Sequence, residues 1–180
     1  VGGLSIEARA FLSGASVFGG LKSNFSWDAE TFVLETHVWE GTLTSLVPTQ
    51  IFDLVNKNIV APKSLRAVFV GGAHLSPGLY LAARELGWPL LPTFGMTESC
   101  SQIASAELAS LEHKEVPKLK ILGHIQTQVG SDKILKIKGD SLLTGYVLIA
   151  DGHAKFVDPK VDGWFATEDL VEIDNSYLKP

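Results

Sequence analysis

Residues 65–95, LRAVFVGGAHLSPGLYLAARELGWPLLPTFG, decide how this chain folds. The run LRAVFVGG is apolar and β-branched, and it ends in paired glycines, which reads as a strand running into a turn. In SPGLYLAARELG, Ser76 can cap a helix and Pro77 fits its first position, where a missing N–H costs nothing. Gly87 supplies the stop. Leu79, Ala82, Ala83 and Leu86 then fall on one helical face. WPLLPTFG is a second strand-like run. A strand, a helix and a strand at this spacing read as a crossover, whose two strands are expected to be parallel. Parallel strands finish at the same edge of a sheet, where open α/β folds bind ligands. Gly71-Gly72-Ala73 and Phe94-Gly95-Met96-Thr97 are therefore expected to face one crevice.

Working outward, LSIEARAFL (4–12) reads as a helix ending near Gly14, ASVFGG (15–20) as a short strand, and WDAETFVLETH (27–37) as a helix. LTSLVP (43–48) reads as a strand, and PTQIFDLVNKN (48–58) as a helix that accepts Pro48 in its first turn. Past residue 118 the texture changes to short alternating runs punctuated by glycine and aspartate: LKILGHIQTQVG, KILKIKG, HAKFVD and LVEID. These read as antiparallel strands. The expected fold class is α/β: a mainly parallel, layered subdomain over 1–118, followed by a smaller antiparallel β-rich subdomain over 119–180. The boundary falls in the polar stretch LEHKEVPK, 111–118.

The chain has 180 residues, of which 46% are hydrophobic and 19% charged, enough for a real core and too apolar for disorder. A net charge of −5 argues against a nucleic-acid surface, which depends on basic excess. No run has membrane-spanning length. A single cysteine cannot form an internal disulfide, so a reducing, cytoplasmic setting is expected. The five histidines are scattered without ligand spacing, which argues against zinc. The chain begins at Val1 rather than at a methionine, and a piece of a longer protein is expected. A cut through an α/β core exposes apolar surface, so association between copies is a further expectation.

The polar cluster TFGMTESCSQ, 93–102, carries the chemistry. Backbone amides at a glycine-containing turn and the hydroxyls of Thr97 and Ser99 suit phosphate oxygens. A lone carboxylate, Glu98, beside phosphates is how proteins hold Mg²⁺, an ion that keeps much of its water. Phe94 could stack on a base. The plainer reading stays open: a strand-to-helix turn, with Thr97 as cap and Glu98 in the first turn. VFVGGAH alone reads as a turn, since it lacks the third glycine of a dinucleotide fingerprint. Asp162-Gly163 reads as a turn. Asp169, ahead of a strand, is either a ribose-diol acceptor or a solvated acid. Cys100 is expected to be a small, semi-buried residue, having no histidine base near it in sequence. Arg9 lies among Ile6, Phe11 and Leu12, where it either snorkels to solvent or grips an anion bidentately.

Three motifs resemble those of the adenylate-forming superfamily of acyl-CoA synthetases and occur along the chain in the order seen there. FGMTES resembles its aromatic-Gly-x-Thr-Glu motif, GGA its adenine-side turn, and GWFATEDL its Gly-Trp-(Phe/Tyr)-x-Thr-Gly-Asp segment. GGLSIEARAFLSGASV, TLTSLVPTQIFDLV, LRAVFVGGAHLSPGL and GMTESCSQIAS resemble the o-succinylbenzoate–CoA ligases of menaquinone biosynthesis. The resemblance covers essentially the whole chain but only the middle of such an enzyme. It implies an ATP-dependent ligase that adenylates a carboxylate, expels pyrophosphate and passes the acyl group to coenzyme A. By the same resemblance Thr97 contacts the α-phosphate, Glu98 holds Mg²⁺, and Phe94, with Gly95 and Met96 in the same motif, stacks on adenine. Gly71, Gly72 and Ala73 line its other side, and Asp169 holds the ribose. Arg9 meets a substrate carboxylate, with Ser45 and Ser101 in the polar wall of the acyl pocket.

Two departures stand out. Phe94 replaces a tyrosine, and Glu168 replaces a glycine beside Asp169, which adds a negative charge near the ribose and calls for a different local backbone angle. The upstream Ser/Thr/Gly-rich phosphate loop, the Gly-Arg-x-Asp hinge and the lysine-bearing C-terminal domain lie outside these residues, so no ligase activity is expected of them alone. The alternatives are a fatty-acyl or aryl-acid CoA ligase and a non-catalytic nucleotide-binding module. A nicotinamide-dependent oxidoreductase would rest on the double glycine only.

Overall fold

The computed structural model describes residues 2–18 and 27–179. The chain divides into two compact units, the first of residues 1–93 and 106–117, the second of 94–105 and 118–180.

The first unit opens with α1 (Gly2–Ser13), closed by Gly14 at φ +68°. Of the strand expected over 15–20, residues 15–18 are irregular, and 19–20 lie outside the described residues. α2 (Ala29–Val38) is capped by Asp28, whose carboxylate accepts the Thr31 N–H at 2.8 Å. β1 (Leu43–Leu46) leads into α3 (Pro48–Asn56), where the Gln50 side chain accepts the Val47 N–H at 2.9 Å. β2 (Ala67–Val70) is followed by α4 (Pro77–Glu85) and β3 (Leu90–Met96). The Ser76 hydroxyl accepts the Leu79 N–H at 3.3 Å, and Gly87 takes φ +83° beyond the helix, so cap and stop work as the residue types require.

β1 and β2 pair in parallel from Leu43↔Ala67 to Leu46↔Val70, and β2 and β3 in parallel from Val68↔Leu90 to Val70↔Pro92. Both crossovers bury one helix face. Ile51, Leu54, Tyr80 and Ala83 meet Leu46, Val68, Val70 and Leu90 in a core that also holds Trp88. Tyr80 joins the buried face of α4, which the small-residue pattern did not single out. The Trp88 indole N–H donates to the Ile59 carbonyl at 2.9 Å, so the largest buried ring leaves no polar atom unpaired.

The second unit is antiparallel. β4 (Ser101–Ser105) pairs with β5 (Leu119–Ile121), β5 with β12 (Tyr177–Lys179), and β12 with β11 (Glu172–Asp174). A three-stranded sheet runs in the order β10 (Phe165–Leu170), β7 (Ile134–Lys138), β6 (Gln126–Val129). β8 (Tyr146–Ala150) and β9 (His153–Val157) form a separate hairpin. Its turn, Asp151-Gly152, has φ +51° and +76°, and Asp162-Gly163 has +52° and +80°. Two positive φ values are what a tight two-residue reversal of this hand demands. Leu135, Ile137, Phe165 and Leu178 are buried, whereas Val147, Ile149 and Phe156 of the hairpin are exposed. Among the described residues no helix is long and apolar enough to cross a membrane.

Candidate functional site

The end of β2 brings Gly71 beside β3, one position past the last paired residues, Val70 and Pro92. A Cβ on Gly71 would stand 2.6 Å from Thr93 Oγ1, and that hydroxyl donates to the Val70 carbonyl at 3.2 Å. Gly72 has φ +87°, open to glycine and strained for other residues. Ala73 is exposed beyond it. This turn of the first unit therefore presents backbone rather than side chain.

The end of β3, from Phe94 onward, and the turn after it belong to the second unit and are built differently. Phe94 and Met96 are half-buried and Gly95 is exposed. A Cβ on Gly95 would collide with the Ser101 carbonyl oxygen and come within 2.8 Å of Gln102 Cα, so glycine is required for β3 and β4 to approach. Thr97–Ser99 form one 3₁₀ turn, closed by the Cys100 N–H donating to the Thr97 carbonyl at 3.0 Å. The chain then leaves as β4, not as a helix, and Thr97 caps nothing: the residue preceding the turn is Met96, without a side-chain cap. Cys100 is exposed, not semi-buried, because φ +60° turns it outward at the corner. Ser101 follows at φ +144°. Two consecutive non-glycine residues at positive φ store strain of about 1–3 kcal/mol each. Buried Ser99 holds the corner, its hydroxyl lying 3.0 Å from the Met96 carbonyl and 3.1 Å from that of Ser101.

Glu98 is half-buried and anchored at both ends. Its carbonyl accepts the Leu143 N–H at 2.8 Å, and its Oε1 accepts the Tyr146 hydroxyl at 3.2 Å. The Tyr146 hydroxyl is held above its ordinary 10.0, first by withdrawal from water, then by the accepting carboxylate and the negative charges of Glu98 and Glu168. It thus stays a neutral donor at physiological pH. No local pattern in the sequence ties Tyr146 or Leu143 to Glu98. The available signal was Gly145: a Cβ there would stand 2.6 Å from the Val157 carbonyl, marking a close approach just before an apolar strand.

Asp169 lies inside β10 rather than ahead of a strand. The β10–β7 register shifts between Ala166 and Leu170. Within that bulge Thr167 is buried, its hydroxyl donating to the Leu135 carbonyl at 3.0 Å and accepting the Asp169 N–H at 3.1 Å. Asp169 is half-buried. Glu168 is exposed and has no positive φ, so a glutamate is compatible with this backbone where glycine was the expected residue.

The remaining candidates sit on three different elements. Arg9 is exposed on α1, and Ile6, Phe11 and Leu12 are exposed with it, so the apolar neighbours do not enclose it. Ser45 is exposed on β1, in register with Phe69. Ser101, half-buried, begins β4.

Comparison with known proteins gives consistent results. The family of AMP-binding enzymes matches residues 2–141. A 2-succinylbenzoate–CoA ligase of Staphylococcus epidermidis is 30% identical over 182 residues, covering 97% of this chain and 36% of the relative. One from Staphylococcus aureus strain MSSA476 is 29% identical, with 97% and 35% covered. The chain thus spans about a third of the length of these curated relatives. Among solved structures, E. coli MenE bound to an analogue of OSB-AMS superposes with a TM-score of 0.71 at 27% identity, over 98% of this chain and 36% of that one. Bacillus subtilis MenE in complex with ATP and magnesium gives 0.75 at 23%, over 98% and 38%, a likeness of fold.

Proposed function

Because the chain belongs to the AMP-binding enzyme family, we propose that it forms the central part of an ATP-dependent acid–CoA ligase acting on o-succinylbenzoate in menaquinone biosynthesis. The observation that carries this reading is the Glu98 turn: a half-buried carboxylate on a strained corner, with one oxygen accepting from a neutral hydroxyl. The whole enzyme activates the acid on ATP, expels pyrophosphate and hands the acyl group to coenzyme A.

The donor set suits Mg²⁺. The second carboxylate oxygen is available to an ion that otherwise keeps water or takes phosphate oxygens. Such an ion supplies charge neutralisation where an anionic carboxylate approaches an anionic phosphate. The chain's own groups bind and align. We assign the α-phosphate contact to Thr97, the stacking face for adenine to Phe94 with Gly95 and Met96, and backbone contact with adenine to Gly71, Gly72 and Ala73. Asp169 receives the ribose hydroxyls. Arg9, with Ser45 and Ser101, is assigned to the acyl carboxylate. A soluble cytoplasmic setting accords with these substrates.

Pyrophosphate release with o-succinylbenzoate, ATP and CoA tests the reading. The protein in its full natural length is expected to turn over, and the 180-residue chain to bind AMP weakly without turnover. Turnover by the chain comparable to the longer form would refute the need for flanking parts. No turnover by the longer form would refute the substrate. Glu98→Gln is expected to lower kcat/KM by about a hundredfold or more. Arg9→Ala should raise KM for a dicarboxylate far more than for a monocarboxylate.

A further inference from the structure

We propose that Tyr146 is a positioning residue, which orients the Glu98 carboxylate toward a divalent cation accompanying nucleotide phosphates, with residues 143–146 as its mount. This deepens the reading of Glu98 above and rests on it.

A glutamate side chain at a partly exposed turn samples many rotamers, and fixing it costs up to about 2 kcal/mol. A donor that fixes it beforehand removes that cost from cation binding. The identity of the donor matters. A lysine or arginine at the same place would orient the carboxylate but cancel its charge and repel an incoming cation. A tyrosine hydroxyl takes one oxygen and leaves the negative charge intact. The Tyr146 hydroxyl meets Glu98 Oε1 at 3.2 Å, while the Leu143 amide fixes the carbonyl of the same residue at 2.8 Å, so side chain and backbone are both held.

The mount is itself restrained. Lys160 Nζ donates to the Leu143 carbonyl at 2.8 Å and to that of Thr144 at 3.0 Å. Its charge is balanced by Asp158 at 2.7 Å, so the ammonium is spent locally and does not reach Glu98 as a counter-ion. Gly145 lets the segment lie against β9, where a Cβ would stand 2.5 Å from Cζ of the Phe156 ring. The sequence therefore holds a neutral donor at Glu98 by means of a charge-compensated clamp farther back.

The test uses the protein in its full natural length. Mn²⁺ binding in the presence of a non-hydrolysable ATP analogue is followed by electron paramagnetic resonance. Binding of AMP in EDTA is followed by calorimetry. Tyr146→Phe should raise the Mn²⁺ Kd about tenfold, the scale on which residues behind a metal ligand act, and leave metal-free AMP binding unchanged. Lys160→Met should weaken Mn²⁺ in the same direction by about threefold, and it carries the test if Tyr146→Phe fails to fold. An unchanged Mn²⁺ Kd, or an equal loss of metal-free AMP binding, overturns the proposal. Glu98→Gln separates the two layers. If it leaves the Mn²⁺ Kd unchanged, the cation role of Glu98 falls and this proposal with it. If it weakens Mn²⁺ while Tyr146→Phe does not, only the role of Tyr146 falls.

Discussion

Gly71 in the first unit and Gly95 in the second both stand at strand ends, yet they are needed for different reasons. The atom facing Gly71 is a hydroxyl on a rotatable threonine side chain. The atoms facing Gly95 are the backbone of Ser101 and Gln102. The first turn can give way and the second cannot. The same contrast runs through both units. The parallel unit is organised by burial, with Ile51, Leu54, Tyr80, Trp88 and Leu90 fully buried. The candidate turn of the antiparallel unit is organised by directed hydrogen bonds around two strained residues. A site that must hold a carboxylate still is better built in the second manner, because strain persists only where the surroundings over-determine it.

The strongest way to break this contrast is a pair of substitutions. Gly95→Ala should destabilise by about 3 kcal/mol or more, since backbone cannot move aside, whereas Gly71→Ala should cost about 1 kcal/mol as Thr93 rotates. Urea midpoints measure both, and equal costs would erase the distinction. Next, Thr167→Val removes a hydroxyl that serves both strands of the β10 bulge and should cost about 2 kcal/mol. Faster hydrogen exchange at the Asp169 amide, with α4 unaffected, would confine the damage to the second unit. Ser76→Ala removes the cap of α4 and should cost about 1 kcal/mol, read from far-UV thermal melts.

The smallest effects are electrostatic, and they distinguish the units by pH. Backbone and side-chain hydrogen bonds from Thr31 hold the Asp28 carboxyl below its ordinary 3.8. The Lys133 hydrogen bond holds Glu172 below 4.5. Depressed carboxyls contribute stability above their unfolded values and lose it as pH falls through the folded ones, so both units should weaken in acid below about pH 4. Lys133 is raised above 10.5 by its bond to Glu172. Its contribution is complete below that value and fades as pH climbs through the raised one. An alkaline decline that Lys133→Met abolishes would belong to the second unit, and urea midpoints against pH would record it.

The parallel crossover was legible because its signals are local. Ser76, Pro77 and Gly87 act within a turn of where they stand, and β-branched runs buried on both faces read as continuous apolar stretches. Within the strand expected over 15–20, ASVF carries β-strand composition but joins no ladder among the described residues. In the second unit the alternating runs gave the antiparallel strands, but not the bulge at Thr167–Asp169, which depends on register against β7. Thr97 and Glu98 could be singled out from residue type, whereas the 3₁₀ turn that carries them depends on Gly95 and Ser101 meeting backbone to backbone. Tyr146 lies 48 positions from Glu98. No spacing rule joins residues that far apart.

The outward-facing Cys100 has a practical consequence. It is the chain's one thiol, and only one residue separates it from Glu98. A maleimide fluorophore would attach at a single place without any engineered background. Its emission would then follow events at this corner on addition of AMP or metal, turning a conformational oddity of the backbone into a built-in optical reporter.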